Sequence, residues 1–166
     1  MANELVRMAP NAPTNVADLQ RLGALLSASG YFKDARDMAQ AAVKIQAGAE
    51  LGIPPVAAMS SIYIVEGKPT LSAVLMGALV KRSGRYNYRV TEHTEKICCI
   101  AFFEEKEQIG VSSFSYDDAV AAGVVRNQTW TKYRRNMLFA RAMSNGCRWY
   151  CPDVFGGPVY TAEELG

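Results

Sequence analysis

Apolar residues near the start of the chain recur at helical spacing. Val16, Leu19, Leu22, Leu25 and Leu26 form one stripe, with Thr14 as N-cap, a helical end near Ser27 and Gly30 closing the element. A second helix is predicted over residues 34–51, where Met38, Ala41, Ala42, Ile45 and Ala49 make a narrow face of small residues suited to close helix packing. Gly52 and Pro54-Pro55 stop it. Residues 61–65 then turn β-branched and aromatic, and Glu66-Gly67-Lys68-Pro69 folds the chain back into a hairpin-like element. Ser72 opens a short helix that ends at Ser83-Gly84.

The period then changes from helical to two. Strands are predicted over residues 86–93, 97–103 and 109–115, joined by short polar turns, which is the pattern of an antiparallel meander. In the first, Tyr86, Tyr88 and Val90 alternate with Asn87, Arg89 and Thr91, as in a half-buried strand. Ser115 and Asp118 have capping-box spacing and open a helix to Ala122, which Gly123 ends. A long helix follows over residues 131–150, and a Pro/Gly-rich exit over 152–160. Residues 1–13, rich in Pro, Asn and Ala, predict a loose start. Helices, a hairpin-like element, a three-stranded meander and a long basic helix make the fold class α+β.

At 166 residues the chain predicts one domain with a real core. Its net charge of +2 is too small to announce a polyanion partner, so the position of the charge decides. The Cys98–Cys99 pair lies in an apolar strand, which points one of the two into the core. Cys147, Cys151 and the lone His93 match no standard zinc spacing, and no metal is expected. No signal-peptide pattern and no membrane-length apolar run occur in the sequence, and the expected compartment is a reducing cytosol.

Charge concentrates near the end. No acidic residue separates Asp118 from Asp153, an interval holding Arg126, Lys132, Arg134, Arg135, Arg141 and Arg148 among Trp130, Tyr133, Phe139, Trp149 and Tyr150. Cations interleaved with flat rings suit a flexible polyanion whose phosphates and bases need different partners. At about 100° per residue, Arg134, Leu138, Arg141, Asn145 and Arg148 fall on one stripe. Phe139, Ala140, Met143, Gly146 and Cys147 gather on the packed side. Arg135 projects away from the stripe. Lys81, Arg82, Arg85 and Arg89 form a second bank, which helix-dipole complementation and a wet strand face would explain equally well.

No G-x-x-x-x-G-K-[ST] phosphate loop and no G-x-S-x-G elbow occur, so neither ATP-driven strand exchange nor that hydrolase chemistry has sequence support. The chain reads as a binder rather than an enzyme, with no cofactor.

Four segments in order carry a resemblance: AELGIPPVAAMSSIYIVEGKPTLSAVLM (49–76), KRSGRYNYRV (81–90), W-x-x-Y-x-x-N-M-L-x-x-R-A (130–142) and RWYCPDVFGGPVYTAEE (148–164). Together they resemble the RecT family of phage-type single-strand DNA-annealing proteins, over residues 35 to 166. Many relatives have proline after the tyrosine of W-x-x-Y, where this chain has Arg134. The resemblance implies a β-β-β-α core assembling side by side into rings or helical filaments. It implies ATP-independent binding of single-stranded DNA and annealing of complementary strands through a nascent duplex, in a bacterial host and encoded by a phage or prophage. A partner exonuclease and a host single-strand-binding protein are partners of that system. Its phosphate contacts would fall on Lys132, Arg134, Arg141, Asn145 and Arg148, with Lys81, Arg82, Arg85 and Arg89 as a second bank. Trp130 and Tyr133 are candidate stacking platforms.

Two readings stand beside this one: an RNA or general nucleic-acid chaperone module, and a scaffold protein whose basic helix makes only subunit contacts. In the annealing reading, the meander edges and the alanine face of residues 34–51 are the surfaces expected to meet neighbouring subunits.

Overall fold

In the computed structural model, residues 12–156 are described, together with Tyr160, Thr161 and Glu164. Most of the loose start expected over 1–13, and residues 157–159 of the exit, lie outside the described residues. The class is α+β, and the chain divides into two compact units, 1–70 and 71–166.

The first unit holds α1 (Val16–Ala28), α2 (Met38–Glu50), α3 (Pro55–Ser61) and the β1 (Ile62–Val65)–β2 (Lys68–Leu71) hairpin. Asn15, not Thr14, caps α1, its side chain accepting from the Asp18 amide. Asp37 caps α2 three residues later than the sequence places that helix's start. The small-residue face of α2 is used inside the unit. A Cβ at Gly23 of α1 would stand 2.9 Å from the Met38 carbonyl and 3.3 Å from the Ala42 nitrogen, so the two helices meet nearly backbone to backbone. Ala35, Ala41, Ile45 and Met59 form the core here, with Leu19, Leu22, Leu26 and Phe32 packed on it. Ala41 and Ile45 of the alanine face are buried in this core, Ala42 and Ala49 are half-buried, and Met38 is 42% exposed, so the face is partly used inside the unit. Gly52, in the left-handed region at φ 64°, follows the end of α2, and Pro55 starts α3 at a helix first position, where its missing N–H costs nothing.

The second unit is built on α4 (Ala73–Arg82), an antiparallel sheet in the order β3 (Tyr86–His93), β4 (Ile97–Glu104), β5 (Glu107–Ser115), then α5 (Tyr116–Ala121), α6 (Gln128–Lys132) and α7 (Arg134–Tyr150). Ser72 caps α4, and the Ser115–Asp118 capping box closes on both sides. Tyr86 and Tyr88 face inward as their alternation predicts. The pairing then slips between Val90 and Glu92, and Val90 is 42% exposed. Helix α7 lies across β4 and β5 and beside α4. Glycine makes the approach possible: a Cβ on Gly146 would stand only 2.0 Å from the Phe102 ring, and one on Gly110 only 2.2 Å from the Tyr150 ring.

The helix expected over 131–150 is broken. Tyr133 (φ −131°, ψ 41°) separates α6 from α7, and Arg134 takes the first position of α7, the place a proline would suit. The buried residues of α7 are Met137, Leu138, Ala140, Ala142, Met143, Ser144, Gly146 and Cys147. On the helical wheel they leave open only a strip of roughly 100°, occupied by Arg134, Arg141, Asn145 and Arg148. The phase of the cationic stripe is therefore as the sequence predicts, and the rest of α7 packs on β4, β5 and α4.

Candidate nucleic-acid interface

Arg134, Arg141 and Arg148 are seven residues apart, which spaces them by about 10 Å along α7 at 1.5 Å per residue. Each guanidinium sits over an aromatic ring from another element: Arg134 over Tyr116 at 3.9 Å, Arg141 over Phe114 at 5.1 Å and Arg148 over Tyr160 at 5.0 Å. Nothing in the spacing of the arginines announces these rings, because they come from α5, β5 and the exit segment.

The counter-charge that the interval 119–152 lacks is supplied from beyond it. Glu164 takes a two-pronged pair of hydrogen bonds from Arg148, 3.0 Å to Oε2 and 2.8 Å to Oε1, while Arg141 stands 3.7 Å from Oε1. The Thr161 amide donates to Glu164 Oε2 at 2.8 Å, and Arg148 also donates to Ser144 Oγ and Asn145 Oδ1. Burial pushes the Glu164 carboxyl up, but hydrogen bonds from Arg148, Ser144 and the Thr161 amide outweigh it and hold the group below its ordinary value. The Arg141 and Arg148 side chains are only 16% and 23% exposed. The expectation of an open rail is corrected here: Arg141 and Arg148 are held in an internal ion-pair network, and Asn145 serves to orient Arg148.

The exposed cations lie at the other end of α7. Lys132, Tyr133 and Arg135 are exposed, Arg134 is half-buried, and none of the three cations has an ion pair with a carboxylate among the described residues. Arg135 does not point into empty solvent. Its guanidinium donates to the His93 carbonyl at 2.9 Å, and its own carbonyl lies 2.9 Å from His93 Nε2, which pins the start of α7 to β3. The first turn of α7 has no side-chain cap, so its leading amides add partial positive charge to the same place. The helical stripe leaves Arg135 out. The break at Tyr133 falls where many of the resembling sequences carry a following proline, and it puts Lys132 and Arg135 on separate helices.

The second bank divides. Arg85 bonds Glu104 at 2.6 Å and Asp153 at 3.3 Å, so its charge is spent within the fold. Lys81 lies over the Tyr88 ring at 4.9 Å and Arg89 over Phe103 at 5.4 Å, both exposed and without a carboxylate partner among the described residues. Arg82 is exposed in the last turn of α4. Of the candidate stacking residues, Trp130 is 2% exposed and tilted against Phe114 at 6.4 Å, which corrects its candidacy: it offers no face to a base. Tyr133 is 59% exposed, and Trp149, outside the predicted set, is 58% exposed at the far end of α7.

Cys98 points into the core as its strand predicts, and burial raises its thiol to about 11. Among the described residues, no group of three His, Cys, Asp or Glu is placed to hold a metal ion, and no helix is long and apolar enough to cross a membrane. No family model matches the chain, and no curated protein or solved structure matches it.

Proposed function

We propose that this protein binds single-stranded DNA without ATP and anneals complementary strands, acting as an oligomeric ring or filament in the cytoplasm of a bacterial host. The observation that carries the reading is the junction of α6 and α7. There Lys132, Arg134 and Arg135 stand without carboxylate partners among the described residues, beside the exposed ring of Tyr133. Cations of this kind meet phosphates whatever the base sequence, and a ring offers a sequence-tolerant stacking face. Lys81 and Arg89, each raised on an aromatic ring, extend the cationic surface of the same unit. The resemblance of residues 35–166 to the RecT family supplies the annealing step, the expected assembly and the phage or prophage origin.

Binding of a labelled oligothymidylate, followed by fluorescence anisotropy across a salt series, tests the reading. Affinity should fall linearly in log–log form, by about 0.7 in slope per phosphate contacted. Lys132→Glu should weaken binding with folding intact, and Arg135→Glu, which also removes the donor to the His93 carbonyl, should weaken it in protein shown to be folded by circular dichroism. RNA of matching sequence, annealed in parallel, separates a DNA-annealing protein from a general nucleic-acid chaperone. No binding at low salt would leave the basic helix with a structural role only.

A further inference from the structure

The network at the C-terminal end of α7 has the make-up of an oxyanion site already filled from within. Two guanidiniums converge on the Glu164 carboxylate, Arg148 two-pronged and Arg141 more distantly. The fit is incomplete. Arg141 stays 3.7 Å from the nearest Glu164 oxygen, and its Nε is buried without a hydrogen-bond partner among the described residues. An arginine fork that accepts a carboxylate two-pronged accepts a phosphate in the same geometry, and a phosphate brings more acceptor oxygens than a carboxylate does. The site lies on the same helix strip as Arg134, so it continues the cationic surface toward the last turn of α7.

Resting on the DNA-binding reading above, we infer that Glu164 is an internal competitor for a phosphodiester of the bound strand, and that Arg141 and Arg148 join the interface only when Glu164 leaves. An internal carboxylate competes at high effective concentration, so an isolated phosphate does not displace it. A strand already held at Lys132, Arg134 and Arg135 presents its next phosphates at comparable effective concentration, and can. The Thr161 amide loses its acceptor when Glu164 leaves, while Tyr160 stays tied through its carbonyl to the Leu71 amide at 3.0 Å.

The test compares oligothymidylate binding by wild type, Glu164→Gln and the double variant Glu164→Gln/Arg148→Gln, each checked for folding by circular dichroism. Glu164→Gln should bind about tenfold more tightly, the size of one charged hydrogen-bond pairing, and the double variant should lose the gain. Hydrogen exchange on the wild type is the second arm. Saturating oligothymidylate should speed exchange at the Thr161 amide, which needs no variant to fold. If wild type binds DNA while folded Glu164→Gln binds no better and Thr161 exchange is unchanged or slowed, Glu164 is a structural fastening and the inference is overturned. If wild type binds no DNA, the underlying reading fails, and the inference with it.

Discussion

Trp130 and Tyr133 lie three residues apart and meet opposite surroundings, one sealed against Phe114 and the other 59% exposed. Trp130→Ala should therefore cost about 3–5 kcal/mol of stability, measured by chemical denaturation, whatever it does to DNA binding. Tyr133→Ala should leave stability within about 0.5 kcal/mol and weaken single-strand binding by about 1–3 kcal/mol, the size of one lost base–ring stack. The arginines separate in the same way. Arg141→Glu sets a second carboxylate beside Glu164 and should lower stability, whereas Arg135→Glu removes one exposed donor to the His93 carbonyl and should act on binding with the smaller cost in stability. The stripe alone ranks these two the other way round. Glu164 also gives the fold an acid dependence. Because its carboxyl is held below the ordinary value in the folded state, its contribution is fully present above the unfolded glutamate value of about 4.3. The contribution is lost as the pH falls from there through the folded value. Thermal melts between neutral pH and pH 3 should show a loss that Glu164→Gln lacks.

At the scale of elements, much of the second unit is legible from local rules. Strand β3 has the predicted bounds although its alternation fails at Val90, and β4 and β5 extend the predicted strands by one and two residues. The capping box of α5 and the serine cap of α4 follow from short-range chemistry, and both form. What escapes is set by tertiary partners. The wheel places the arginines on the least buried side of α7, but it cannot tell a wet strip from one roofed by Tyr116, Phe114, Tyr160 and Glu164. It also counts Leu138 with the cations, although that side chain is fully buried. Helix α3 escapes because Pro54-Pro55 reads as a stop, while the same prolines begin the next helix. The packing of α7 on the sheet makes its own prediction. Gly146→Ala places a methyl group against the Phe102 ring and should cost about 1–3 kcal/mol by denaturant unfolding, as overpacking of a tight core does.

For the whole molecule, the two halves present different chemistry. Unit 1–70 buries Ala41 and Ile45 of its small-residue helix face in its own core, while unit 71–166 carries the exposed cations of α4, β3 and the α6–α7 junction. Helix α7, at 17 residues, is about 25 Å long, enough for only a few nucleotides of a single strand. Stable annealing by such short surfaces requires several copies in register, whose separate contacts add by avidity. The outer strands β3 and β5, and the part of the α2 face left open at Met38, are candidate surfaces for the proposed assembly. The most direct measurement is the rate at which complementary oligonucleotides anneal, without nucleotide or metal, with wild type and with the double variant Lys132→Glu/Arg135→Glu. Wild type should accelerate annealing above the protein-free rate, added ATP should change nothing, and the folded variant should return the rate to background. Wild-type acceleration that the folded variant retains in full, or no acceleration by wild type at any concentration, would contradict a DNA-annealing role for the α6–α7 junction.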